Sequence, residues 1–350
     1  MKRPNWVARP PLLSFILMVA LTSASCQSGT GTRGKQDEAV NPVSGSLASF
    51  DHAVQAHPDS AKAYRERGFA KSVRGDLNGA LADYNQAIAL DPASAETYVE
   101  RGIIKSLKGD AEGSIADYTK AIALHPSSWA AYYDRALDRA STGDLSGALS
   151  DIAKSLEIRP DNPSAYTVRG SIKAARDQLD DAIADFSISL KFNLNNFAAY
   201  HARAKARLDK RDFAGALSDC DKAIQLRPGS ASAYNLRAWI KFLQNRWDSA
   251  LADANRAVLL NPKYPNGIGT RGWIRYVKGD SAGARGDLQK AVELAGPDSL
   301  EAIEDRGLLC FMDGDYQKAI ETWQGAIRQA PSVKFDLQPW IEKAKMKLRK

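Results

Sequence analysis

Side chains with the chemistry of a catalytic or metal site are few in this 350-residue sequence. The four histidines stand in no metal-ligand spacing with another histidine, a cysteine or a paired acid. They are His52, His57, His125 and His201. His201 has Lys205 and Asp209 one and two helical turns later, a spot that a hydrolase or transferase could use as a general base. An exposed polar patch accounts for these residues better, and no other catalytic cluster accompanies them. The sequence therefore favours a protein that is not an enzyme and uses no cofactor and no metal.

Charged residues also recur with a period of 34 residues. Each unit is numbered 1 to 34 from Ala61, and one inserted residue near 297–299 shifts unit eight so that it begins at Leu300. Position 7 is then arginine in eight units, position 11 is basic in seven and position 23 is aspartate in seven. The arginines are Arg67, Arg101, Arg135, Arg169, Arg203, Arg237, Arg271 and Arg306, and the aspartates are Asp83, Asp117, Asp151, Asp185, Asp219, Asp253 and Asp287. Positions 7 and 11 share one helix face, and such a row of cations could bind a polyanion. We predict instead that, in the seven units that have both residues, the arginine pairs with the aspartate of its own unit.

Two helices in each unit must position these columns. In unit one, small and aromatic residues recur at helical spacing on two segments, at Tyr64, Gly68, Ala80, Tyr84 and Ala87. Between the segments lies Gly75-Asp76, in which glycine can end one helix and aspartate can cap the next. Pro92 ends the second helix. A period in this range predicts a stack of helix pairs that bury their apolar faces against one another.

The pattern resembles the tetratricopeptide repeat, whose signature is a bulky residue at position 4, Gly or Ala at 8, Ala at 20, an aromatic at 24, Ala at 27 and Pro at 32. The resemblance covers eight units over residues 61–333 and implies an all-α fold, a right-handed α-α superhelix. A half repeat over residues 43–60 precedes the array, and residues 334–350 are predicted to form a capping helix. Leu194 replaces proline in unit four, which predicts either a joint in the superhelix or a slightly longer helix.

The resemblance implies a concave groove lined by positions 2, 5, 9 and 12, and this groove is where we expect a protein or peptide partner to bind. Its candidate residues are Phe69, Ile103, Tyr133, Leu137, Trp239, Phe242, Trp273, Tyr276 and Phe311. Trp239 and Trp273 occupy position 9 of adjacent units, so they are expected side by side and exposed. Aromatic side chains are frequent anchors of protein interfaces.

The first 42 residues are predicted to direct export and membrane attachment of the protein. Residues 1–25 combine a basic start with an apolar stretch, as in a signal peptide, and are too short for a clear membrane span. Ser23-Ala24-Ser25-Cys26 resembles a bacterial lipobox, which implies cleavage before Cys26 and its acylation, although serine replaces the usual leucine. Residues 26–42 form a polar tether. We expect an exported cell-envelope protein, lipid-anchored to the outer membrane, with a periplasmic or secreted protein as the alternative.

The net charge and the cysteine positions argue against nucleic-acid binding and against a disulfide bond. A net charge of +7, partly in the leader, is too small and dispersed to predict nucleic-acid binding. Cys220 and Cys310 lie in units five and eight, too far apart for a disulfide, and are predicted to be free, buried thiols. The prediction is therefore a non-enzymatic adaptor of the cell envelope that binds a protein or peptide, with binding of an anionic envelope polymer through the basic columns as the alternative. The oligomeric state stays open.

Overall fold

A computed structural model describes residues 46–349, and within this range every regular element is a helix. The predicted all-α fold class is thereby confirmed. The helices of the half repeat and of units one to four are α1 (Leu47–Ala56), α2 (Ala61–Val73), α3 (Leu77–Leu90), α4 (Ala95–Leu107), α5 (Ala111–Leu124), α6 (Trp129–Ser141), α7 (Leu145–Ile158), α8 (Pro163–Ala175) and α9 (Leu179–Phe192). The remaining helices are α10 (Phe197–Asp209), α11 (Phe213–Leu226), α12 (Ala231–Leu243), α13 (Trp247–Leu260), α14 (Pro265–Val277), α15 (Ser281–Ala295), α16 (Leu300–Met312), α17 (Tyr316–Gln329), a 3-10 turn (Pro331–Val333) and α18 (Lys334–Leu348).

Within the described residues the chain forms two compact bodies that divide between Arg176 and Asp177, and within each body every helix packs against the next one along the chain. The boundary falls in the turn between the two helices of unit four, and a joint at Leu194 stays a prediction. The alternative of a longer helix is wrong, because α9 ends at Phe192 after 14 residues, as many as α7 or α11.

The turn inside each unit follows from its sequence. In units one, two, three, seven and eight, a glycine with φ between 81° and 91° ends the first helix, in the left-handed region that suits a residue without Cβ. The next residue, aspartate, accepts a hydrogen bond from the backbone of the second helix, as Asp76 does from Gly79. Units four to six instead place Asp177, Arg211 and Asn245 in the left-handed region, with φ of 60° to 64°.

Within each body the core lies between the two helices of a unit and between neighbouring units. Ala80, Ala148, Ala182, Ala216, Ala250 and Ala284, all at position 20, are fully buried. Glycine at position 8 permits this close approach, since a Cβ on Gly102 would meet the ring of Tyr118 at 2.6 Å. Among residues 46–349, no helix is both long enough and apolar enough to cross a membrane.

Candidate binding grooves

The arginine and aspartate columns join the two helices of a unit. In units one, two, three, five, six and seven, Nε and Nη2 of the arginine donate to the two carboxylate oxygens of the aspartate over 2.6–2.9 Å. The position-11 cation reaches the same carboxylate at 2.6–2.8 Å. The predicted pairing is confirmed in these units. Because each carboxylate is buried and holds two cations, the columns serve packing inside the units.

A tyrosine at position 4 completes this arrangement. The guanidinium lies over its ring at 5.1–5.7 Å, in a cation–π contact within one helix turn. The rings are Tyr64, Tyr98, Tyr132, Tyr166, Tyr200 and Tyr234. In units one, two, three, five and six the arginine is thus held from two sides, and this fixes its fork toward the aspartate of the second helix.

In the first body, the predicted groove residues divide by burial. Tyr133 and Leu137 are buried in the core of unit three, which corrects their assignment to a binding surface. Phe69 on α2 and Ile103 on α4 are partly buried, so an edge of each faces outward. One helical turn after each of them comes an exposed aliphatic side chain, Val73 or Leu107. Since α2 and α4 contact each other, these four residues form adjacent apolar strips.

Acidic residues lie on the same helix faces. Positions 2, 6, 9 and 13 follow one another at spacings of four, three and four residues, which places Glu96, Glu100, Ile103 and Leu107 on one face of α4. Arg65 of α2 donates to Glu96. We call this surface the amino-terminal groove, defined by Phe69, Val73, Glu96, Glu100, Ile103, Leu107 and Asp134.

Two of its carboxyls have perturbed acidities. Burial raises the pKa of Glu100 to about 7, although the nearby Arg65 lowers it, and one Glu100 oxygen is buried with no hydrogen-bond partner. Burial, and then the charge of Asp138, raise the pKa of Asp134 to about 7. Asp138 is itself held by Ser106, whose Oγ donates over 2.7 Å, and by Ser114. Half-desolvated carboxyls of this kind attract a cation brought by a partner.

The second body gathers the aromatic residues of units six to eight. Trp239 and Trp273 lie side by side with ring centroids 6.3 Å apart, as predicted. Their predicted exposure is wrong for Trp273, which is only 3% exposed and whose Nε1 donates to Asp305 over 2.8 Å. Phe242 and Phe311 are also buried, whereas Trp239 and Tyr276 are partly exposed.

The reason for this burial is α18, which packs on the aromatic cluster. Its Trp340 ring lies 5.2 Å from Trp273, 5.8 Å from Tyr276 and 6.0 Å from Phe311, measured between centroids. The predicted capping helix therefore exists, but it covers the face that was predicted to stay open for a partner.

The alternative interpretation of His201 as a general base does not fit its surroundings. His201 is stacked on Phe197 with centroids 5.8 Å apart. Burial, and then the charge of Lys205, lower its pKa to about 4, so the imidazole stays neutral near pH 7 and is a weak proton acceptor. In the described part of the chain, no three histidine, cysteine or acidic side chains come together in a way that could hold a metal ion.

Both described cysteines are free thiols, as predicted. Cys220 is buried and Cys310 partly buried, and burial raises the pKa of both, that of Cys220 to about 12. Cys26 and the predicted leader and tether lie outside the described residues.

Sequence reasoning missed several groove residues. Val73 and Leu107 stand at position 13, which the pattern did not single out, and Glu100 and Asp134 stand at position 6. The sequence does contain a sign that α18 differs from the repeats. In a ninth unit Trp340 would stand at position 7, which is arginine in all eight units.

Comparisons with known proteins agree with this architecture. A family model described as "TPR repeat" matches residues 74–109, and one described as "Tetratricopeptide repeat" matches residues 108–163, 201–268 and 270–333. No curated protein sequence matches significantly.

Solved structures give the same picture. A tetratricopeptide repeat protein from Parabacteroides merdae is 20% identical with a TM-score of 0.58, over 69% of this chain and 95% of its own. Pseudomonas aeruginosa pilF is 17% identical with a TM-score of 0.54, over 63% and 96%. The APC/C heterotetramer Cut9–Hcn1 has 14% identity and a TM-score of 0.57, over 85% of this chain and 58% of the matched chain. At such identities the likeness concerns the fold alone.

Proposed function

The chain belongs to the tetratricopeptide repeat family, and we propose that it is a non-enzymatic scaffold whose amino-terminal groove binds a segment of a partner protein. The segment carries apolar side chains beside a lysine or arginine. The observation that carries this proposal is the buried, unpartnered oxygen of Glu100 next to two apolar strips.

Apolar burial supplies one part of the interaction. Val73 is 59% exposed and Leu107 49% exposed, and both stand at the rim of partly buried Phe69 and Ile103. Covering these side chains with a partner removes apolar surface from water at roughly 25 cal/mol per Å². Aliphatic strips on two neighbouring helices suit an extended or helical segment, which presents side chains at regular spacing.

The acidic residues supply the charge preference. Arg65 donates its hydrogen bond to Glu96, and one buried oxygen of Glu100 accepts no hydrogen bond from any described side chain. A partner cation that pairs with Glu100 favours its ionised form and so lowers its raised pKa. Binding should therefore release a proton and become tighter as the pH rises through about 7.

The test is selection of peptides from a random displayed library on the purified chain, followed by fluorescence anisotropy of the selected peptides. We expect apolar sequences with a central lysine or arginine, and affinity higher at pH 8 than at pH 6. Glu100→Gln keeps the shape of the side chain but removes its charge, and should weaken binding roughly tenfold and flatten the pH dependence.

The matched control is Glu112→Gln, which removes an exposed acid from the second helix of the same unit. Equal weakening by the two variants would show a general charge effect and not a site. Selection of acidic peptides, or of none, would refute binding in this groove.

We also propose that the protein is exported and anchored in the cell envelope through acylated Cys26, with residues 26–42 as the tether. The support is the sequence of the first 42 residues. Cys26→Ser should abolish incorporation of an alkyne-labelled fatty acid and move the protein from the membrane to the soluble fraction, whereas Cys220→Ser should change neither. Labelling that persists in Cys26→Ser would rule out this anchor.

A further inference from the structure

The last helix lies along the aromatic face of the second body. Leu337, Ile341 and Ala344 of α18 are buried, and Trp340 is surrounded by the rings of units seven and eight. We call the surface that α18 covers the carboxyl-terminal groove, defined by Arg211, Trp273, Tyr276, Phe311 and Trp323. A segment of the chain itself thus shows which ligand chemistry this groove accepts.

The start of α18 reaches back to unit five. Arg211, in the turn between α10 and α11, donates from Nη2 to Asp336 over 2.6 Å. Its guanidinium also lies 5.5 Å from the ring centroid of Phe335. Asp336 and Trp340 are four residues apart, so they stand on one face of α18 and contact the groove at two separate points.

Arg211 is an unusual residue for its place. It has a φ of 64° at the turn position where units one, two, three, seven and eight have glycine. A long side chain in the left-handed region is strained, in contrast to glycine. The contact of Arg211 with α18 gives this strained arginine a role that a glycine could not fill.

The fit of α18 is incomplete at both ends. Phe335 at its start and Met346 and Leu348 near its end are exposed. An open, largely polar depression of about 390 Å³ lies beside its second half, between Lys343 and the rings of Tyr276 and Tyr316. An occupant that leaves groove volume empty and its own apolar residues in water is open to competition from a better-fitting helix.

We propose that the carboxyl-terminal groove is a second binding site, specific for a partner's amphipathic helix that carries an acid four residues before a tryptophan. The helix α18 is its resident occupant, and the partner's helix binds by displacing it. The site goes beyond the proposed amino-terminal groove and does not depend on it, since no residue is shared.

The test uses the full chain and a fluorescent peptide with the sequence of residues 331–350. In the wild type α18 competes from within the same chain, so the peptide binds weakly. Trp340→Ala in the chain weakens α18 and leaves the groove intact, and should tighten peptide binding at least tenfold. Asp336→Ala in the chain should tighten it about fivefold, and it leaves the aromatic cluster whole if Trp340→Ala fails to fold.

The recognition rule is tested by changing the peptide and the groove together. In the Trp340→Ala chain, a peptide with Asp336→Ala should bind about fivefold less tightly than the native peptide. Adding Arg211→Gly to the chain should remove this difference. Asn245→Gly is the matched control, because it places glycine at the same turn position of unit six and should preserve the difference.

Three results would overturn the proposal. One is the absence of peptide binding to both Trp340→Ala and Asp336→Ala chains that retain wild-type circular dichroism. Another is that a peptide carrying Trp340→Ala binds the Trp340→Ala chain as tightly as the native peptide does. The third is dimerisation of the Asp336→Ala chain, which would make a second copy, and not a different partner, the occupant. If no peptide binds the amino-terminal groove, these three measurements are unaffected. The two proposals are therefore tested separately.

Discussion

Replacing Asp151 by alanine tests whether the repeated ion pairs hold the units together. Asp151 accepts from Nε and Nη2 of Arg135 over 2.9 and 2.7 Å, and from Arg139 over 2.8 Å. The aspartate is 3% exposed and Arg135 9% exposed, so both charges are shielded from water. Without the carboxylate, two guanidinium groups face each other, and the remaining hydrogen-bond partner of the Arg135 fork is the neutral hydroxyl of Thr119.

The expected cost follows from this burial. Removing one partner of a buried ion pair leaves an uncompensated charge and costs about 3–5 kcal/mol. Guanidinium cannot escape by losing its proton, because its pKa is too high. With a urea m-value of about 2–3 kcal/mol/M, the unfolding midpoint should fall by about 1–2.5 M.

Unit six provides the matched control. Asp253 holds Arg237 in the same geometry, but Arg237 also donates to Asp221 over 2.7 Å, and the second cation is the flexible Lys241. Asp253→Ala leaves a compensating acid and a lysine that can turn to water, so its cost should be about 1–2 kcal/mol smaller.

The assay is urea unfolding followed by far-ultraviolet circular dichroism, read separately for early and late transitions, because repeat arrays can unfold in parts. A cost below about 1 kcal/mol for Asp151→Ala would refute the structural role of the pairs. Equal costs for the two variants would refute the compensation by Asp221.

Three further substitutions test packing and buried charge. Gly307→Ala drives a Cβ into the indole of Trp323 and should lower stability by about 1–3 kcal/mol, as measured by thermal melting. Gly286→Ala, in α15, meets nothing within 4 Å and should raise stability by about 0.5–1 kcal/mol in the same assay. The pKa of Asp134 is raised to about 7 in the folded protein, whereas in the unfolded chain it is about 4. The folded protein therefore loses stability as the pH rises from about 4 through 7, because ionising this buried carboxyl costs free energy. Asp134→Asn should therefore melt above the wild type at pH 8 and together with it near pH 4; an equal offset at both pH values contradicts the raised pKa.

What the sequence predicts well is what repeats in it. The helix pairs, the Gly-Asp turns and the arginine–aspartate pairs lie within one unit, and each is repeated in several units. The phase of the repeat therefore identifies both partners of each contact. Packing of this kind is local along the chain, since each repeat contacts its neighbours.

What the sequence did not predict depends on contacts that occur once. Trp273 fits position 9 as well as Trp239 does, yet it is buried because Trp340 packs on it from a helix outside the array. The period assigns a side chain to the inner face of a unit, but it contains no information about what covers that face. The same limit applies to Glu100, whose raised pKa depends on how deeply its neighbours bury it.

Arg211 combines both kinds of contact, and this gives a last test. In the left-handed region, Asp177 and Asn245 have short polar side chains that tolerate the conformation, whereas arginine does not. Arg211→Gly in the wild type relieves strain of about 1 kcal/mol and loses an ion pair worth about as much, so its net effect should be near zero.

In an Asp336→Ala chain the ion pair is already gone, and Arg211→Gly should then stabilise the protein by about 1 kcal/mol. Urea unfolding of the four chains of this cycle measures the difference. An identical effect of Arg211→Gly in both backgrounds would mean that Asp336 and Arg211 are not coupled. A difference of the expected size would show that an arginine costly to its own turn is retained for a contact with a helix 125 residues away, which is the behaviour expected of a residue that holds an occupant in a groove.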